Sequence, residues 1–373
     1  MIMSEIKSAN IPQMTVGKVI EWLSQIYCSV INKNIPINTL PSVMLWGAPG
    51  VGKSQAIRQL AKEIESQTGK KAVVTDVRLL LFNPIDLRGI PTSNADKSAA
   101  IWLKPQIFQM DSGDDIINLL FLDEISAAPP SVQAAAYQIT LDRTVGEHKL
   151  PDNCIVIAAG NRVTDKSVAF KMPKALANRL LHIEVQGSFD SWKKWAIMHG
   201  INPKVLGFLT FRQRCLMNFE PSNDDLAFAT PRSWEMVSNL LNSVSDNVDK
   251  MYPLISGLVG SGTAVEFRTW AKVYNELPDI GDIFDGKSPN LPNNTDAMYA
   301  LTASMTDYAR EHKNELARIA NSIRYSEKMP PDFSAMMMKD YMYIEKDYKQ
   351  RLMGIPEFSR WLQTKGMLLN GSV

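Results

Sequence analysis

Only three cysteines, Cys28, Cys154 and Cys215, occur in 373 residues, and they lie far apart. None sits in a C-x-x-C pair or a Cys/His cluster, which excludes a structural zinc site and a disulfide framework. Buried free thiols in a reducing compartment are expected instead. Charge of one sign is also missing. Forty Lys+Arg face 39 Asp+Glu, for a net charge of +1. That argues against a broad basic nucleic-acid surface and against an acidic tail. No apolar run approaches the roughly 20 residues of a membrane-spanning helix. The opening Met1-Ile-Met-Ser-Glu-Ile-Lys7 lacks the basic-then-apolar layout of a signal peptide. A cytoplasmic protein with no membrane association is expected. Internal repeats and low-complexity tracts are lacking too.

What the chain does contain is enough apolar material for sizeable cores, at 45% of residues. Its length predicts roughly two to three domains. The stretch around which the rest is organised runs from Ser42 to Ser54. Val43 to Trp46 reads as a short apolar strand. A glycine-rich turn follows, Gly47, Ala48, Pro49, Gly50, Val51 and Gly52, and a helix opens at Lys53 and Ser54. The pattern G-x-x-x-x-G-K-[ST] is complete. Glycines let successive N–H groups turn inward around a phosphate. The helix N-terminus adds partial positive charge at the same point. Lys53 can reach β- and γ-phosphate oxygens, and the Ser54 hydroxyl can ligate Mg²⁺.

Downstream, apolar runs alternate with helical segments. Ala72–Val77, Asn118–Glu124, Cys154–Ala159 and His182–Val185 read as strands, and Val16–Ile31 and Ala127–Leu141 as helices. A parallel α/β sheet sandwiched by helices is expected up to residue 188. The region between Arg78 and Phe108 reads as long and irregular, and Arg143–Leu150 as a small hairpin turning at Gly146-Glu147. Past residue 188 the pattern is helical, with Leu277–Thr295 reading as a loop or linker. Met336-Met-Met338 reads as packing filler.

Asp123 and Glu124 close a nearly unbroken apolar strand, at the sheet edge where α/β proteins bind ligands. Asp123 can hold Mg²⁺ through its water shell, and Glu124 can orient the water that attacks a γ-phosphate. As a bare pair they could equally cap a helix. Asn161 ends the next strand, where an amide can contact both γ-phosphate and water; alone it is a turn residue. Arg179 lies at the end of a short helix, and Pro231 places Arg232 in the first turn of another. Neither arginine is diagnostic alone.

Taken in order, Gly47–Ser54, Leu120–Glu124, Ala158–Asn161, Ala175–Arg179 and Thr230–Arg232 resemble an AAA+ ATPase. More narrowly, Asn83–Pro91, Asp142–Pro151 and Gly257–Phe267 resemble the MoxR branch of the helix-2-insert group. The resemblance spans about residues 12 to 270. It implies a P-loop NTPase domain over residues 1–188, an α-helical lid over 189–275, and a helical C-terminal extension over 276–373 outside the match. It implies ATP and Mg²⁺ as cofactors, Asn161 as sensor 1, Arg232 as sensor 2, and Arg179 as a finger acting on the neighbouring subunit's nucleotide. Arg162, next to Asn161, is a competing trans arginine. Such proteins form homo-oligomeric rings, commonly hexamers, that remodel or load metal into a protein client, often beside a von Willebrand A domain partner. The alternatives are an ATP-driven motor on nucleic acid, as in phage defence or restriction, and a nucleotide-regulated binding module. Near-neutral charge weighs against the first, and an intact Glu124 against the second.

Overall fold

The computed structural model describes residues 11–162, 172–218 and 225–369; Met1–Lys7 lies outside them. The chain divides into two compact units, Met1–Ser188 and Phe189–Val373.

The first unit is a parallel sheet with helices on both faces. Its elements run β1 (Gln13–Thr15), α1 (Val16–Asn32), β2 (Val43–Trp46), α2 (Lys53–Thr68), β3 (Lys71–Arg78), α3 (Pro84–Arg88), β4 (Ile90–Ser93), β5 (Ala100–Leu103), β6 (Ile116–Asp123), α4 (Pro130–Asp142), β7 (Thr144–Val145), β8 (His148–Lys149), β9 (Cys154–Gly160), α5 (Lys174–Ala177) and β10 (Leu181–Gln186). The six-stranded sheet has the order β1-β10-β2-β9-β6-β3, and every pairing is parallel.

The apolar runs alternate between two cores because successive strand side chains point to opposite faces. Leu119 and Phe121 of β6 join Ile155 and Ile157 of β9 under α1 and α2. Leu120 and Leu122 join Val156 and Ala158 on the other face, with Val132 and Ala136 of α4. Each fully buried Leu, Ile or Phe contributes about 1.5–3 kcal/mol, so the central strands are held from both sides. The helices start and stop on local signals. Thr15 Oγ1 accepts the Lys18 N–H at the head of α1, Pro130 opens α4 at its first position, and Gly69 closes α2 with φ of +70°.

Two stretches of this unit differ from the sequence expectation. The stretch read as irregular contains α3 and the antiparallel hairpin β4/β5, with Ile90 opposite Leu103. Strands of four residues carry too few positions for a period to show. The other is β1, a three-residue strand that exists through its register on β10, Gln13 to Glu184. The hairpin expected at Arg143–Leu150 is β7/β8, in which Val145 faces His148 across the turn.

The second unit is helical: α6 (Phe189–Met198), α7 (Pro203–Phe211), α8 (Pro231–Ser243), α9 (Val248–Val259), α10 (Ser261–Ala271), α11 (Ile280–Phe284), α12 (Thr295–Glu311), α13 (Leu316–Ser326), α14 (Pro331–Tyr341), α15 (Tyr348–Met353) and α16 (Pro356–Lys365). One buried core extends from Trp192 to Trp361, so helices on both sides of residue 275 pack into the same interior. At its centre Phe208, Trp234, Phe267 and Trp270 have ring centroids 5.2–5.8 Å apart, offset and tilted as aromatic quadrupoles prefer. The stretch Leu277–Thr295, read from sequence as a loop or linker, carries α11 instead. Ile283 and Phe284 there are fully buried, and two large apolar side chains in the core outweigh the Pro, Gly, Asp and Asn around them. Met337 and Met338 are buried filler.

Candidate active site

The loop after β2 is shaped by backbone that only glycine adopts easily. Gly52 has φ of +103° and forms the N-cap of α2, which directs the first N–H groups of the helix into the loop. Lys53 then folds back across it. Its Nζ donates to Gly47 O at 2.7 Å, to Ala48 O at 3.1 Å and to Asn161 Oδ1 at 3.0 Å. The side chain is buried, and these acceptors keep its charge solvated by protein oxygens.

Sheet register brings the remaining groups to that edge. Trp46 pairs with Gly160, so the loop emerges level with Asn161. Leu122 pairs with Ala158, so Asp123 ends one strand further over at the same height. Ser54 Oγ donates to Asp123 Oδ2 at 2.9 Å. The other carboxylate oxygen, Oδ1, accepts the Glu124 N–H at 2.9 Å. Glu124 has φ of +60°, in the left-handed region that costs a non-glycine residue about 1–2 kcal/mol. The Ile125 N–H donates to Ala159 O at 2.9 Å and locks that turn to β9.

Ser126, which sequence reasoning did not single out, completes the link between the two strand ends. Its Oγ accepts the Asn161 N–H at 2.9 Å. Gly160 makes this approach possible, because a Cβ there would lie 2.8 Å from Ser126 Oγ and 2.9 Å from Met44 Cε. A small hydroxyl residue three positions past a strand-end carboxylate is too common to read as a signal.

Arg162 and Arg179 are placed differently. The Arg162 guanidinium bonds Glu184, a buried carboxylate that also accepts from Gln13 Nε2 at 3.1 Å. Arg179 is exposed, in the turn between α5 and β10. Leu181 pairs with Val43 and its N–H donates to Ser42 O. Arg179 therefore lies at the sheet edge where β2 begins, opposite the edge where the loop emerges. It lines a polar cavity of about 710 Å³ with Arg143, Asp152 and Lys149. Arg232 belongs to the second unit. Thr230 and Ser233 cap α8 reciprocally, Pro231 takes its first position, and Arg232 is exposed on its first turn.

All three cysteines are buried and free; burial pushes the Cys154 thiol up to about 12, which makes it inert. Among the described residues no group of three or more His, Cys, Asp or Glu is arranged to hold a metal. No helix among them is long and apolar enough to cross a membrane.

A parallel sheet with a glycine-rich loop entering a helix, and Lys, Ser, Asp and Asn converging on that loop, defines a nucleotide-binding ATPase domain. Residues 42–182 match the model of the ATPase family associated with various cellular activities, AAA. The chain is 27% identical over 176 residues to the uncharacterized protein YeaC of Bacillus subtilis (strain 168). That match covers 44% of this chain and 50% of YeaC, so the chain spans about half the length of this curated relative. Among solved structures, a RuvB point mutant from Thermotoga maritima is 15% identical, covering 78% of this chain and 81% of that one at a TM-score of 0.34. NtrX from Brucella abortus is 14% identical, covering 95% and 67%, at a TM-score of 0.35.

Proposed function

We propose that this chain is a MoxR-like AAA+ ATPase that hydrolyses ATP in a homo-oligomeric ring, commonly a hexamer, to remodel or activate a protein client. The observation that carries the reading is the joining of Lys53 to Asn161 and of Ser54 to Asp123 at one sheet edge. These are the groups that phosphoryl transfer requires, gathered from three strands.

The residues fit a magnesium nucleotide. Neighbouring ligands of an octahedral Mg²⁺ with bonds of about 2.0–2.1 Å lie about 2.9 Å apart, and Ser54 Oγ and Asp123 Oδ2 have that separation. Ser54 and Asp123 would hold the ion, directly or through water, and Lys53 with the backbone from Gly47 to Gly52 would hold the phosphates. Bound there, Mg²⁺ supplies charge neutralisation at the β- and γ-phosphate oxygens. Glu124 orients the attacking water and takes its proton. Asn161 holds the γ-phosphate end in line with that water. Arg232 contributes from the helical unit as the residue that senses the nucleotide.

Arg179 supports the ring. It is exposed and at the sheet edge opposite its own loop, as a finger that serves a neighbour must be. Arg162 is engaged with buried Glu184 in its own chain, which favours Arg179 as the trans arginine. The client is proposed to be a protein, with a von Willebrand A domain partner among the candidates.

The test has two arms. Native mass measurement with ATP on the Glu124→Gln variant should show a closed ring; a persistent monomer overturns the assembly. Purification of tagged, nuclease-treated protein with and without ATP, followed by mass spectrometry, should recover a nucleotide-dependent protein client. ATP turnover stimulated by DNA or RNA, with no such client, would replace this reading with the nucleic-acid motor.

A further inference from the structure

His182 joins the strand that carries the nucleotide loop to the turn that carries Arg179. Trp46, the last residue of β2, precedes Gly47 directly. Its indole Nε1–H donates to His182 Nδ1 at 2.9 Å, and the two rings lie edge to edge and nearly coplanar, with centroids 6.1 Å apart and planes at 18°. The other imidazole nitrogen, Nε2, lies 2.7 Å from Ala177 O. An indole N–H can only donate and a carbonyl can only accept. The imidazole proton is therefore on Nε2, and the ring transmits one directed link from Trp46 to Ala177.

Ala177 is the final residue of α5, a helix of four residues. A single turn cannot hold itself in water; its position comes from what it is tied to. The Arg179 turn is tied at both ends to β2. Ala177 O is reached from Trp46 through His182, and the Leu181 N–H donates to Ser42 O at 3.0 Å. A shift of the end of β2 as the loop engages phosphate would thus move the ground on which Arg179 stands.

We infer that His182, with Trp46, is a positioning residue for Arg179, coupling the state of a subunit's own nucleotide loop to the arginine it presents to its neighbour. This rests on the trans role proposed above for Arg179.

The test uses Trp46→Phe, which keeps an aromatic ring and removes the N–H, and His182→Phe, which removes both ring nitrogens, in the full chain. In each, the affinity for ATP should stay within about threefold of wild type, while kcat falls at least tenfold. In rings mixed with Glu124→Gln subunits, which bind ATP without turning it over and carry an intact Trp46–His182–Arg179 set, turnover at the His182→Phe sites should recover towards wild type. Full turnover in both variants overturns the inference. So does a loss that mixing fails to rescue, because the defect then lies in the variant's own loop. If His182→Phe does not fold, Trp46→Phe decides by the same two measurements. Arg179→Ala is mixed with Glu124→Gln in parallel. Failure of that rescue removes the trans reading itself, whereas its success beside an unrescued His182→Phe removes only the coupling.

Discussion

Lys53 Nζ and Asn161 Oδ1 are 3.0 Å apart although 108 positions separate them in the chain. The contact joins the first residue of α2 to the residue after β9, and it exists because β2 and β9 are hydrogen-bonded neighbours. Replacing Lys53 by Ala removes the ammonium that the loop oxygens surround. ATP binding should fall by at least about 100-fold, more than 2.7 kcal/mol, as one charge-assisted phosphate contact plus the loop order it maintains. Isothermal titration with ATP checks this, and wild-type affinity in the variant would remove the loop from the site.

Glu124→Gln keeps the shape of the side chain and removes the base. ATP affinity should hold within a few-fold, while steady-state turnover should drop by about 10²–10⁴, the usual contribution of a positioned general base. The measurement is phosphate release against ATP concentration. Continued hydrolysis assigns the water to another group.

Arg179 and Arg162 should separate cleanly. Arg179 is exposed, so Arg179→Ala should leave the melting temperature unchanged. It should slow hydrolysis by about 10³–10⁵, with recovery in rings mixed with Glu124→Gln subunits. Arg162→Ala leaves the buried Glu184 without its cation. It should cost about 1–3 kcal/mol of stability, read by denaturant unfolding of the variant. The reverse pattern would exchange the two assignments.

Gly160→Ala tests the link between the two strand ends. The new Cβ would press on Ser126 Oγ and Met44 Cε, both packed in the interior. Overpacking of this kind costs about 1–3 kcal/mol. Because Ser126 Oγ accepts the Asn161 N–H, turnover at temperatures well below unfolding should fall too. A stable variant with full turnover would show that this approach is not needed.

Lys193 Nζ and Asp340 Oδ2, 2.7 Å apart and nearly inaccessible, form an ion pair inside the helical unit. Burial pushes the Asp340 carboxyl up from its ordinary value, and Lys193 offsets part of that. Lys193→Met removes the offset and should destabilise by about 3–5 kcal/mol near neutral pH. The carboxyl of the folded variant then binds its proton more tightly than in the unfolded chain. Stability should accordingly be retained below the ordinary carboxylate range and decline as pH rises through the raised value. Unfolding curves across pH check the sign, and the double variant Lys193→Met/Asp340→Leu should regain most of the loss with a flat profile.

Much of this site is legible in the chain because its parts are local. The loop from Gly47 to Ser54 needs consecutive residues, and the apolar runs ending at Asp123 and Gly160 declare strands buried on both faces. The helix start at Pro231 follows from a residue that lacks an N–H, whereas the helix expected from Ala127 begins only at Pro130. The tertiary structure decided what depends on partners distant in the chain. A three-residue β1 and a four-residue β4 are strands only because a neighbour completes their hydrogen bonds, and α11 is held by the burial of Ile283 and Phe284 against a polar local sequence. The same holds within the site. Residue types placed Lys53, Ser54, Asp123 and Asn161 among the candidates, but the parallel register set the 2.9 and 3.0 Å contacts between them. That register also put Ser126 under Asn161 and Trp46 beside His182, since a hydrogen bond between side chains is a property of the space they share and leaves no period or motif in the sequence.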